Sequence, residues 1–98
     1  MEKVALVVTI EFQAGAKAAF LQALMEHKQR CLDTEPGTLQ FEIVASSDNP
    51  NSVVLFEAYA SQEALTLHEA GPSLARFRDE AGALITKASA QHGVLLAV

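Results

Sequence analysis

Apolar and polar residues alternate over residues 4–12, with Val4, Leu6, Val8, Ile10 and Phe12 on one face and Ala5, Val7, Thr9 and Glu11 on the other. The second face is itself apolar over its first half. This strand is therefore expected to be central, with helices over one side and a second subunit over the other. Beyond Gln13-Ala14-Gly15 the spacing becomes helical. Phe20, Leu21, Leu24, Lys28, Cys31 and Leu32 form a stripe with His27 at its edge, which predicts a helix to about Asp33. Pro36 biases Glu35 away from helical angles, and Gly37 permits a sharp turn, so Glu35-Pro36-Gly37 stops the helix.

Alternation returns over residues 38–46, with Leu39, Phe41, Ile43 and Ala45 facing one way and Gln40, Glu42, Val44 and Ser46 the other. The more polar second face suggests an edge strand. Asp48-Asn49-Pro50-Asn51-Ser52 is dense in turn formers and leads by a hairpin into Val53-Val54-Leu55-Phe56-Glu57-Ala58-Tyr59. On that strand Glu57 and Tyr59 share a face, away from Val54, Phe56 and Ala58. Ser61 is a suitable N-cap for a short helix carrying Ala64, Leu65 and His68 on one side. Gly71-Pro72 breaks it, and a further helix turns Leu74, Phe77, Ala81 and Leu84 or Ile85 inward. After Ala90-Gln91-His92-Gly93, the apolar residues 94–98 are expected to form a closing strand, buried or paired.

This order predicts an α+β domain of ferredoxin-like βαββααβ type: a four-stranded antiparallel sheet with helices on one face. The other face is expected to join a second copy, giving a homodimer. At 98 residues the chain forms a single domain, 1–98, and 50% hydrophobic content is high for one so small. That excess again points to a covered surface. A net charge of −5 without a Lys/Arg cluster argues against nucleic acid and against an anionic membrane surface. No leader or membrane-length apolar run is evident, so the expected location is the cytoplasm. The single cysteine, Cys31, forms no intrachain disulfide; with His27 it offers two metal donors, too few for a zinc site. No metal or other cofactor is expected.

Chemistry concentrates around three residues. His68 can exchange a proton near neutral pH, unless it is only a helix histidine bonded to Glu57 or to backbone. Glu57 is a carboxylate in an apolar strand, where leaving it unpaired is costly. It would orient His68, act as a base with a raised pKa, or pair with Lys28 or an arginine. Tyr59 would donate to a substrate oxygen, or serve as a core aromatic with its hydroxyl reaching water. Phe41 and Phe77 are core residues that could also line a pocket. Lys28 is either a pocket residue or a side chain that reaches past the core to water.

Glu35-Pro36-Gly37-Thr38-Leu39-Gln40-Phe41-Glu42 resembles the opening of strand two in the antibiotic biosynthesis monooxygenase (ABM) family. Phe56-Glu57-Ala58-Tyr59, with Ser61, Ala64 and His68 after it, resembles that family's Glu-x-aromatic…His signature. The resemblance spans essentially the whole chain. It implies a dimeric ferredoxin-like fold with a pocket between helices and sheet in each subunit. The implied activities are cofactor-independent oxygenation of quinols or polyketides, haem degradation, and isomerisation of a phosphorylated sugar derivative. Haem degraders resemble this chain less: they carry an asparagine near the position of Val8 and a tryptophan where Tyr59 stands. Many relatives also have a Pro-His pair where this chain has Pro72-Ser73, which puts two-histidine mechanisms in doubt. The resulting expectation is a monooxygenase for a small aromatic or carbonyl substrate. His68 would remove a proton with help from Glu57, and Tyr59 would stabilise the oxyanion. The alternatives are an isomerase using the same groups and a non-catalytic dimeric binding module.

Overall fold

A computed structural model describes residues 2–96. The elements follow the order β1 (Val4–Phe12), α1 (Lys17–Thr34), β2 (Thr38–Ala45), β3 (Ser52–Tyr59), α2 (Gln62–Glu69), α3 (Pro72–Ala81) and β4 (Ile85–Val94). The strands form one antiparallel sheet in the order β2-β3-β1-β4. This is the ferredoxin-like arrangement expected from the alternation of periods. Among the described residues no helix is long and apolar enough to cross a membrane.

The strand faces divide as the alternation requires. Leu6, Ile10 and Phe12 of β1 and Val53, Leu55, Glu57 and Tyr59 of β3 are buried beneath the helices. Phe12 stacks on Phe20 of α1 with ring centroids 4.5 Å apart, and Phe77 of α3 meets Phe20 edge-on at 6.0 Å. Within this single chain most of the opposite face is open: Val7 and Val44 are exposed and Val54 and Phe56 half-buried, whereas Ala58, at the end of β3, is already buried.

Three local expectations are corrected. First, the buried stripe of α1 runs through Phe20, Ala23, Leu24, His27 and Cys31, so His27 lies at its centre. Lys28 and Leu32 are rotated to the rim, because steps of four, three and four residues keep 20, 24, 27 and 31 on one line. Second, β2 is irregular between Thr38 and Gln40, where its register against β3 shifts by a residue. This bulge turns Leu39 outward to 45% exposure and buries Thr38. Third, the closing strand is Ile85–Val94, not residues 94–98, and α3 ends at Ala81 before a single 3₁₀ turn, Gly82–Leu84. The strand escapes sequence patterning because it is an edge strand exposed along nearly its whole length. Its small and polar residues are held by pairing with β1, from Val4 opposite Val94 to Glu11 opposite Lys87. Leu95 continues that pairing with its N–H donating to the Lys3 carbonyl, while Leu96 is exposed and residues 97–98 lie outside the described range.

Gly37 serves close packing. Its φ is not positive, unlike that of Gly15 at 85°. A Cβ at position 37 would lie 2.5 Å from the Cβ of Ala64 in α2. Gly37→Ala is therefore expected to push α2 off the sheet and cost about 1–3 kcal/mol, measurable by denaturant unfolding. An unchanged midpoint would show that α2 moves freely there.

Candidate functional site

Each site element has a local cause. The Ser61 hydroxyl accepts from the Ala64 N–H at 3.1 Å, fixing the start of α2 and hence the direction in which His68 projects. The sheet alternation aims Glu57 toward the same space from β3. At the end of α1, the Glu35 N–H donates to the Cys31 carbonyl at 3.0 Å while its own backbone is already extended before Pro36. Glu35 thus leaves the helix pointing back toward α2.

His68 and Glu57 meet at a cavity of about 210 Å³ between helices and sheet. Phe41, Phe77, Leu55 and His27 contribute to its wall, and Glu69, Arg78 and His92 also border it. His68 is 4% exposed and Glu57 5%. The short contact of His68 is not to Glu57, as expected, but to Glu35: Nδ1 lies 2.7 Å from Glu35 Oε1. Its Nε2 is 3.8 Å from Glu57 Oε1, too long for a direct hydrogen bond. A second, outer pocket of about 340 Å³, bordered by Glu35, Pro36, Leu67 and Pro72, also reaches His68. His68 therefore stands in the partition between the two spaces.

Tyr59 takes a different place from the one expected. It is fully buried against Leu6 and Leu65, does not border the cavity, and donates its hydroxyl to Glu57 Oε1 at 2.5 Å. Burial, then the Glu57 carboxylate, pushes its pKa up, so it remains a neutral donor. Its partner Glu57 also has its pKa raised, chiefly by burial, with the Tyr59 bond and His68 opposing. Lys28 is not brought to the cavity at all; its Nζ lies 3.4 Å from Glu42 Oε1 at the edge of the sheet. Phe41 and Phe77 are both core and cavity wall.

Two neighbours are not placed at this site by the sequence reading. Glu35 enters the sequence reading as part of a turn and of the motif that carries the family resemblance, although a carboxylate fixed between a helix end and a proline is well placed to hold a partner. His27 is the other. Its ring stacks on Phe77 at 5.0 Å, meets Phe41 edge-on at 5.6 Å, and lies 5.7 Å from the His68 ring. A second imidazole thus comes from α1, whereas Ser73 supplies a backbone carbonyl 3.2 Å from His27 Nδ1. Burial, reinforced by the charges of His68 and Arg30, lowers the His27 pKa to about 4. The signal available in sequence was its spacing of four from Cys31 on the apolar stripe.

His27, Cys31 and His68 bring three possible metal donors within 4.8 Å of one another. Cys31 Sγ is 3.6 Å from both ring nitrogens of His27. A sulfur equidistant from both cannot lie in the ring plane without overlapping the intervening carbon, so it sits over the ring face, off the lone-pair directions. Burial, with Glu35 and Glu57 adding to it, raises the thiol pKa to about 12 and keeps Cys31 protonated. As arranged, the three side chains pack together and do not converge on an ion.

The family model for antibiotic biosynthesis monooxygenase matches residues 3–80. No curated protein matches the sequence. A Caulobacter crescentus protein provisionally assigned as an antibiotic biosynthesis monooxygenase superposes with a TM-score of 0.93 at 18% identity, over 98% of this chain and 92% of its own. A protein of that same provisional assignment from Nitrosomonas europaea gives 0.85 at 21% identity, over 98% and 90%. Another Nitrosomonas europaea protein, of unknown function, gives 0.84 at 25% identity, over 100% and 93%.

Proposed function

We propose that this chain, which belongs to the antibiotic biosynthesis monooxygenase family, oxygenates a small phenol or hydroquinone in the cavity between helices and sheet. The observation that carries this reading is His68 on the cavity wall, with Nδ1 tied to the Glu35 carboxylate and Nε2 on the side of Glu57, which borders the same cavity. At about 210 Å³ the cavity falls below the ~300–1,000 Å³ of drug-sized sites and suits a single-ring substrate.

The chemistry runs as follows. His68 Nε2 takes the proton of the substrate hydroxyl. The resulting electron-rich anion reduces dioxygen directly, and a carbon–oxygen bond forms to give a hydroperoxide once a proton returns. Loss of water then leaves a quinone, so one oxygen atom enters product and the other leaves as water. The substrate supplies the electrons, and the scheme asks for no flavin or metal. Glu57, steadied by Tyr59, faces the developing charge on His68. Tyr59 acts through Glu57 and not on the substrate oxygen.

An oxygen electrode with a panel of hydroquinones and phenols, in chelator-treated buffer, tests this reading. Saturable oxygen uptake with one oxygen consumed per product is expected. Hydrogen exchange next to a carbonyl without oxygen uptake would identify an isomerase instead, and binding without turnover a binding module.

We further propose that the open sheet face, with Val7, Phe56 and Val44, joins a second copy of the chain. Light scattering should return twice the 10.5 kDa chain mass, and Phe56→Asp should return one. A wild-type protein of one chain mass at micromolar concentration would contradict this.

A further inference from the structure

We infer that Glu35 is the positioning residue of this site, holding His68 in the tautomer that leaves Nε2 free to accept a proton. The inference rests on the proposed role of His68 as base, but its test does not require turnover. An ionised carboxylate is an acceptor only, so the 2.7 Å contact between Glu35 Oε1 and His68 Nδ1 requires Nδ1 to carry the hydrogen. In the neutral ring Nε2 then keeps a free lone pair on the side of Glu57, which borders the cavity. A free imidazole prefers the opposite arrangement, with its hydrogen on Nε2. Without Glu35 the nearest carboxylate would be Glu57, 3.8 Å from Nε2, and would favour that wrong form. The remaining groups around the ring are Cys31, with Sγ 3.8 Å from Nδ1, and the rings of His27 and Tyr59. None of these competes with a carboxylate at 2.7 Å.

Glu35 is itself held. The Thr38 hydroxyl donates to the same Oε1 at 2.8 Å, which is possible because the β2 bulge turns Thr38 inward. Its backbone is fixed at the end of α1. Its carboxylate also borders the outer pocket and is 19% exposed, whereas the Glu57 side chain is 6% exposed. The two acids therefore divide the work. Glu35 compensates an imidazolium from the solvent side, and the substrate cavity needs no water to do so.

The test is the nitrogen-15 spectrum of His68 in the protein without substrate, recorded with the ring neutral. Wild type is expected to show a protonated Nδ1 and an unprotonated Nε2. In Glu35→Ala the hydrogen should move to Nε2, with kcat falling about 10–100-fold and KM little changed, as for loss of an orienting partner. Glu35→Gln, whose amide oxygen can still accept from Nδ1, should keep the wild-type tautomer, and it serves if the alanine variant does not fold. A wild-type ring protonated on Nε2, or a Glu35→Ala ring unchanged from wild type, overturns the inference. A protein with the expected tautomer shift but no oxygen uptake would instead defeat the proposed reaction and leave the role of Glu35 standing.

Discussion

His68→Ala is expected to lower oxygen uptake by ~10²–10⁴-fold, the usual contribution of a positioned acid–base group. His68 Nε2 is the imidazole nitrogen that lies close to Glu57 on the cavity wall, and His27, the other buried imidazole there, has a pKa of about 4 and its Nδ1 on the Ser73 carbonyl. The substitution also has a structural cost, because it leaves Glu35 and Glu57 on either side of a hole. A buried polar group deprived of its partner costs about 1–3 kcal/mol, and more when it is charged. Turnover and thermal unfolding should therefore be measured together, with His68→Gln as a control that keeps most of the volume. Turnover lost in both variants, with the glutamine protein still folded, separates chemistry from stability. Unchanged turnover in the alanine variant would remove His68 from the mechanism.

The second large effect is on acid stability. His27 has a folded pKa of about 4 against 6.5 when free, so between those values the unfolded chain binds more protons. Its contribution is complete above pH 6.5 and is lost as pH falls toward 4, amounting to about 3 kcal/mol. The causes are the packing of its ring between Phe41 and Phe77 and the charges of His68 and Arg30, against the Ser73 carbonyl and Glu35. Glu57 works in the opposite sense. Its raised pKa gives stability that is present below 4.5 and lost as pH rises through the folded value, so it offsets part of the His27 effect. The clean measurement is the difference between wild type and His27→Phe in urea-derived stability from pH 7 to pH 4. That difference should shrink or reverse by about 3 kcal/mol in favour of the variant at the acid end. A pH-independent difference would mean that His27 binds its proton equally well in the folded and the unfolded chain.

Where side chains alternate under helices, the sequence was a sufficient guide: β1, β3 and the opposed faces of Glu57 and Val54 follow from period alone. It failed at β4, whose exposed small and polar residues carry no burial pattern and depend on pairing with β1. It failed differently at the site. The nearness of Glu57 to His68 was legible, but the shorter Glu35 contact depends on where a helix ends and on the bulge at Leu39, which turns Thr38 inward. Neither has a periodic signature. Tyr59 shows the limit of a strand face as a guide: it shares Glu57's side, yet two residues along the strand it sits in a separate small cluster with Leu6 and Leu65. Gly37 looked like a turn residue because Pro36 precedes it, whereas its requirement comes from Ala64, 27 positions further along.

The central claim is that substrate electrons reach dioxygen directly in the cavity bordered by His68 and Glu57. Turnover of a responsive hydroquinone or phenol under oxygen-18 gas, in chelator-treated buffer, tests it most directly. One labelled atom in the product and the other in water is the predicted result. Product oxygen drawn from water, or product formed under nitrogen at an undiminished rate, would contradict it.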